Sequence, residues 1–188
     1  FEVIYEEKTV DGKLVGTGDI LAARFTNLRQ SYTAFRYTNG SYYNEKGMSL
    51  RKAFLRTPVD FARISSRFSS GRKHPILNKI RAHQGVDYAA PRGTPIKAAG
   101  DGKVILAGRK GGYGNTVILQ HGSSYKTLYG HMNGFAKGIR TGSSVRQGQI
   151  IGYIGTTGLS TGPHLHYEFQ INGRHVDPLG QKKLMADP

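Results

Sequence analysis

Four of the seven histidines in this chain of 188 residues fall into three compact patterns. In His83-Gln84-Gly85-Val86-Asp87 an imidazole and a carboxylate stand four residues apart. On a strand, where side chains alternate between faces, His83 and Asp87 would share a face. His164-Leu165-His166 places two imidazoles in the same relation, and its alternates Leu165, Tyr167 and Phe169 are apolar, as a core-facing side requires. Thr127-Leu128-Tyr129-Gly130-His131 reads as a further strand, with His131 on the Thr127 and Tyr129 face. Any one of these patterns is common in ordinary packing. Three together, rich in an uncommon residue, point to side chains that meet at one small cation.

The chain has no cysteine, so a metal must be held by histidine and carboxylate alone. A catalytic zinc site takes three protein ligands and keeps a fourth position for water, and two His with one Asp supply that set. Hydrolysis also needs a base to align the water and a donor for the developing oxyanion. No HExxH occurs; only five Glu are present, and Glu168 alone lies near a motif. The acid–base groups on offer are therefore the surplus histidines.

These groups need a scaffold, and 26 glycines scattered between short β-branched and aromatic runs suggest many tight turns joining short strands. The expected fold is all-β, with few short helices. Strands are expected over 95–98, 102–107, 116–121, 126–131, 149–154 and 164–171, with the Gly-rich connections 108–115 and 155–163 as groove walls. Residues 1–57 read as the remaining part of a β-rich accessory domain, with a hairpin turn at Asp11-Gly12 and a short helix over Ser49–Leu55. Residues 58–180 would form the domain carrying the histidines, and 181–188 a C-terminal tail. Phe1 falls inside a strand-like run, which implies upstream sequence outside this chain.

A formal charge of +15 favours an anionic partner. No aromatic-basic signature, cysteine finger or basic helix accompanies it, so nucleic acid is not expected. No apolar run approaches the roughly 20 residues of a membrane span.

The phrases HQGVDYAAPRGTPI (83–96), GGYGN (111–115), TLYGH (127–131) and TGLSTGPHLHYEF (157–169), with RISSRF at 63–68, resemble the lysostaphin/LytM family of zinc peptidoglycan endopeptidases, in its Gram-negative, MepM-like branch. The resemblance covers about 59–179 and implies mainly antiparallel sheets that form a long substrate groove with one zinc ion on its floor. It implies His83, Asp87 and His166 as zinc ligands, and His131 and His164 as the catalytic pair that orients water and stabilises the oxyanion. The implied substrate is the peptide cross-link of peptidoglycan, between D-Ala and meso-diaminopimelate, in a Gram-negative periplasm. A regulatory or adaptor protein is a further implied partner. The resemblance also implies that an upstream segment blocks the groove, which would make this shorter chain more active than its precursor.

Around that set, Glu168 shares the strand face of His164 and His166 and is a candidate acceptor for an imidazole N–H. His121, closing the run VILQH, is at most a supporting residue. Tyr113, Asn115 and Tyr129 are candidate groove contacts. Two other readings are a LytM-like regulator that binds the wall without cutting, and a secreted bacteriolytic or glycine-rich-protein protease. The first is disfavoured by the full ligand set, the second by the lack of a wall-targeting domain after residue 180.

Overall fold

The structure is a computed structural model that describes residues 1–27, 29–38, 40–45, 53–71, 82–181 and 184. Two compact units divide after Lys52. In the first, β1 (Glu2–Val10), β2 (Lys13–Asn27), β3 (Gln30–Arg36) and β4 (Tyr42–Tyr43) form an antiparallel meander in sequence order. Asp11 and Gly12 both take positive φ, 50° and 73°, which is the two-residue turn expected there.

The second unit holds β5 (Arg63–Ser66), β6 (Val86–Ala89), β7 (Pro95–Lys97), β8 (Gly102–Arg109), β9 (Asn115–His121), β10 (Tyr125–Phe135), β11 (Ser144–Val145), β12 (Ile150–Ile154), β13 (His164–Ile171) and β14 (Arg174–Val176). They make one sheet in the order β11-β8-β9-β10-β13-β6-β5; β12 pairs with β10 and β7, and β14 with β13. Every pairing is antiparallel, and the only helical pieces among the described residues are the 3₁₀ turns Gly111–Tyr113 and Pro178–Gly180. No described helix is long and apolar enough to cross a membrane.

The expected alternation on β13 holds. Leu165, Tyr167 and Phe169 are fully buried with Tyr88 and Val86 of β6 and Tyr129 of β10. Their neighbours His164, His166 and Glu168 therefore project from the other face. Burial of this continuous apolar layer is what holds the central strands rigid beneath the histidines.

The accessory segment was expected to run to residue 57, but the contact boundary falls at Ala53. Phe54 explains the difference: it is 2% exposed and meets His121 and Phe169 edge-to-face at 5.0 and 4.9 Å. Of the expected helix Ser49–Leu55, residues 49–52 lie outside the described residues. Within the expected tail, Leu184 packs on the core, and its carbonyl accepts a hydrogen bond from the Phe54 N–H.

Candidate active site

Strand pairing brings the first two groups together. In the β6–β13 ladder His166 stands directly opposite Asp87, and His164 opposite Ala89. His83 lies before β6, bridged to Ser69, rather than on one strand with Asp87 as expected. It reaches Asp87 because the intervening chain lies hard against β13. A Cβ on Gly85 would sit 2.5 Å from the Tyr167 carbonyl oxygen and 2.8 Å from the His166 ring, so no other residue fits there.

The Asp87 carboxylate lies between two imidazoles: Oδ2 is 3.1 Å from His83 Nε2, and Oδ1 is 2.8 Å from His166 Nδ1. One ligand atom from each of His83, Asp87 and His166 falls within 4.8 Å of the others. Two imidazoles and a carboxylate, half-buried and converging from three backbone segments, fit a zinc ion with an open position. Burial opposes the charge on Asp87, but the His166 hydrogen bond and the fields of His166, His83 and His164 outweigh it and hold the carboxyl below its ordinary value.

Each imidazole is aimed by its remote nitrogen. His83 Nδ1–H donates to the Arg67 carbonyl at 2.9 Å, leaving Nε2 for the metal. His166 is turned the other way: Nε2–H donates to Glu168 Oε1 at 3.0 Å and Nδ1 faces Asp87. His131 Nδ1–H donates to the Thr157 carbonyl at 2.7 Å, and His164 Nδ1–H to that of Gly162 at 2.8 Å. Both of these rings therefore present a bare Nε2. The His131 and His164 centroids are 4.7 Å apart, and His131 lies 6.1 Å from His166. Burial, with only partial relief from the Thr157 carbonyl, lowers the His131 pKa and keeps the ring neutral.

His131 was expected on the Thr127 and Tyr129 face, and the structure overturns that. Thr127 and Tyr129 pair with Phe169 and Tyr167, on the core side. At Gly130–His131 the β9–β10 register slips, and His131 takes φ +59°, which swings its ring to the side of His164. A left-handed histidine costs about 1–2 kcal/mol and is held by its surroundings.

Tyr129, expected in the groove, is fully buried, with its hydroxyl accepting from the Ala99 N–H at 2.8 Å; it cannot touch a substrate. His121 also lies away from the site, its Nδ1–H on the Asp101 carbonyl and its Nε2 2.7 Å from Thr127 Oγ1. Asn115 serves as a clasp, its backbone N–H donating to Thr157 Oγ1. Tyr113 does line a cavity of about 270 Å³ with Gly112, His131, Leu159 and His166. Its hydroxyl, however, donates to Glu168 Oε1 at 2.7 Å. Burial and that carboxylate push the tyrosine pKa up.

Glu168, 1% exposed, is hydrogen-bonded to His166 as the strand face suggested, and it also accepts from His175 Nε2–H at 2.9 Å. His175 had been given no chemistry, and His74 lies outside the described residues. Sequence reasoning also missed Thr157. Its hydroxyl accepts from Asn115 and donates to the Met132 carbonyl while its own carbonyl aims His131. The two Gly-rich connections are joined rather than opposed, since the Leu159 N–H donates to the Gly112 carbonyl at 2.8 Å.

Such an arrangement is suited to metal-assisted hydrolysis, and comparison with known proteins agrees. Residues 81–178 match Peptidase family M23, and the chain belongs to that family. Residues 1–70 match the Csd3 second domain. Over 179 residues the chain is 48% identical to the peptidoglycan DD-endopeptidase ShyC of Vibrio cholerae, covering 95% of this chain and 41% of that protein. A zinc-containing peptidase from Vibrio cholerae superposes with a TM-score of 0.66 at 35% identity, over 98% of this chain and 56% of the other. Csd3 of Helicobacter pylori gives 0.62 at 40% identity, over 99% and 50%. The chain thus spans about two-fifths of the length of its curated relatives.

Proposed function

We propose that this chain is a zinc metalloendopeptidase of the bacterial cell envelope that hydrolyses peptide cross-links of peptidoglycan, with the D-Ala–meso-diaminopimelate bond as its target and the periplasm as its compartment. In this reading residues 58–180, extended back to Ala53, are the peptidase domain, and the N-terminal unit is an accessory domain. One observation carries the proposal. A His83–Asp87–His166 donor set with ligand atoms within 4.8 Å lies beside two further imidazoles, each with its Nδ1–H tied to a backbone carbonyl.

A zinc ion bound there supplies Lewis-acid polarisation and lowers the pKa of water at its open position to about 7. His131, neutral through burial, is suited to take a proton from the attacking water. His164 faces the same space through Nε2 and is placed to donate to the oxygen on which charge develops. Glu168 holds the His166 ring so that Nδ1 points to the metal. Tyr113 and Leu159, the latter 85% exposed, give the groove an apolar lining that suits a small side chain such as that of alanine.

The test is mass analysis of muropeptides released from purified sacculi by zinc-loaded protein, with a chelated sample alongside. His131→Ala and His164→Ala should abolish release yet keep zinc, whereas His83→Ala, Asp87→Ala and His166→Ala should lose both. Intact cross-links after digestion by verified zinc-loaded protein would refute the proposal.

A further inference from the structure

Arg92 stands outside the machinery described so far. It lies exposed in the connection from β6 to β7, and among the described residues no carboxylate pairs with it. Several other cations do pair with carboxylates: Lys97 with Asp60, and in the N-terminal unit Arg24 with Glu2 and Arg36 with Asp19. Arg92 instead donates from both Nε and Nη2 to the side-chain oxygen of Asn133, at 2.9 and 2.7 Å. A neutral amide oxygen fixes the plane of the guanidinium without neutralising it. The end edge of the fork, Nη1 with the second N–H of Nη2, is left to bind a planar anion in two-point fashion.

Three features place this cation at the catalytic pair. Ala89 is the ladder partner of His164, and Arg92 follows three residues later, at most about 11 Å of extended chain. Asn133 comes two residues after His131 and, unlike the buried Met132 between them, is exposed. The Asn133 backbone also presses on Gly155, whose Cβ would fall 2.4 Å from the Asn133 nitrogen, and Gly155 is bridged to His164. A fixed, unneutralised guanidinium is thus tied to a residue two positions from His131 and follows the ladder partner of His164 by three residues.

We infer that Arg92, held flat by Asn133, is a specificity subsite that binds a free carboxylate of the substrate next to the scissile amide. This rests on the peptide-hydrolase reading above and adds to it a demand on the substrate. An extended peptide advances about 3.3 Å per residue, so a carboxylate on the residue at the cut, or one removed from it, lies within reach of a long arginine. Stem peptides of peptidoglycan carry free carboxylates on residues flanking their cross-links, and some walls carry carboxamides at the same positions. Arg92 would separate the two. A carboxamide offers no charge and has only one acceptor oxygen, so it cannot match each of the two N–H groups with an oxygen of its own as a carboxylate does.

The experiment compares kcat/KM of zinc-loaded wild-type chain and Arg92→Gln on two cross-linked peptides that differ only in a carboxylate or a carboxamide beside the scissile bond. Wild type should prefer the carboxylate by about tenfold or more, mainly through KM. Arg92→Gln should lose most of that preference by slowing on the carboxylate alone, with unchanged zinc content and melting temperature. Equal rates of wild type on both peptides, or an equal loss on both in the variant, would overturn the subsite while leaving the hydrolase intact. Cleavage of neither peptide by verified zinc-loaded wild type would remove the underlying function and the subsite with it.

Discussion

The imidazole of His131 and the carbonyl oxygen of Thr157 are 2.7 Å apart, although 26 residues separate them in the chain. That contact fixes the proton of the ring on Nδ1 and its lone pair on Nε2. The Thr157 hydroxyl in turn holds the loop by accepting from Asn115 and donating to the Met132 carbonyl, each within 2.9 Å. Thr157→Ala keeps the carbonyl but frees the loop that carries it. We expect kcat to fall about tenfold with KM and zinc content nearly unchanged, since misplacing a catalytic group costs rate more than binding. Steady-state kinetics on a soluble cross-linked peptide would check this. An unchanged kcat would show that the clasp does not position His131.

Glu168→Gln keeps the shape of the acceptor and removes its charge. In the wild type, burial raises the Glu168 pKa, but hydrogen bonds from His166 and Tyr113 and the nearby His175 overcome it and keep the carboxylate ionised. Losing that charge should make His166 a weaker ligand and lower zinc affinity about tenfold or more. Competition with a metal-sensitive chelator reads this directly, independent of turnover. Zinc affinity within twofold of wild type would count against the role.

Gly114→Ala should be among the most damaging single changes. Gly114 has φ +67°, and a Cβ there would lie 2.4 Å from the backbone of Thr157. Strain and overlap together should cost about 3 kcal/mol, and the displaced Thr157 should lower turnover as well. Thermal unfolding of the second unit measures the first effect. A melting temperature equal to wild type would show that the two loops can separate freely.

His121 provides a pH dependence that does not involve the metal. Burial lowers its pKa from 6.5, only partly offset by the Asp101 carbonyl. The folded state therefore disfavours the proton that the unfolded chain accepts. Stability from this group is present above pH 6.5 and is lost as pH falls below it toward the folded value. In metal-free protein, His121→Gln should flatten the fall in melting temperature between about pH 6.5 and 5. Equal slopes in the two proteins would remove the assignment.

Sequence alone made legible the chemistry that depends on residue type and short spacing. HxH on an apolar-alternating strand predicts two imidazoles on one face, and the β13 pattern of buried Leu165, Tyr167 and Phe169 bears that out. The absence of cysteine restricts any metal site to histidine and carboxylate, and the spread of glycines between short apolar runs points to an all-β fold.

What the tertiary structure decided is everything that a period of two does not encode. The alternation rule put His131 with Thr127 and Tyr129; a bulge with one left-handed residue reversed it, and no local sequence cue marks that reversal. Tyr129 was a candidate groove contact and His121 at most a supporting residue, yet pairing with β13 and the packing of Phe54 turn them to the core. The carbonyls of Arg67, Thr157 and Gly162, which aim three of the imidazoles, are invisible in a sequence because every residue has one. Side-chain type sets which chemistry is available, and long-range backbone pairing sets which nitrogen faces it.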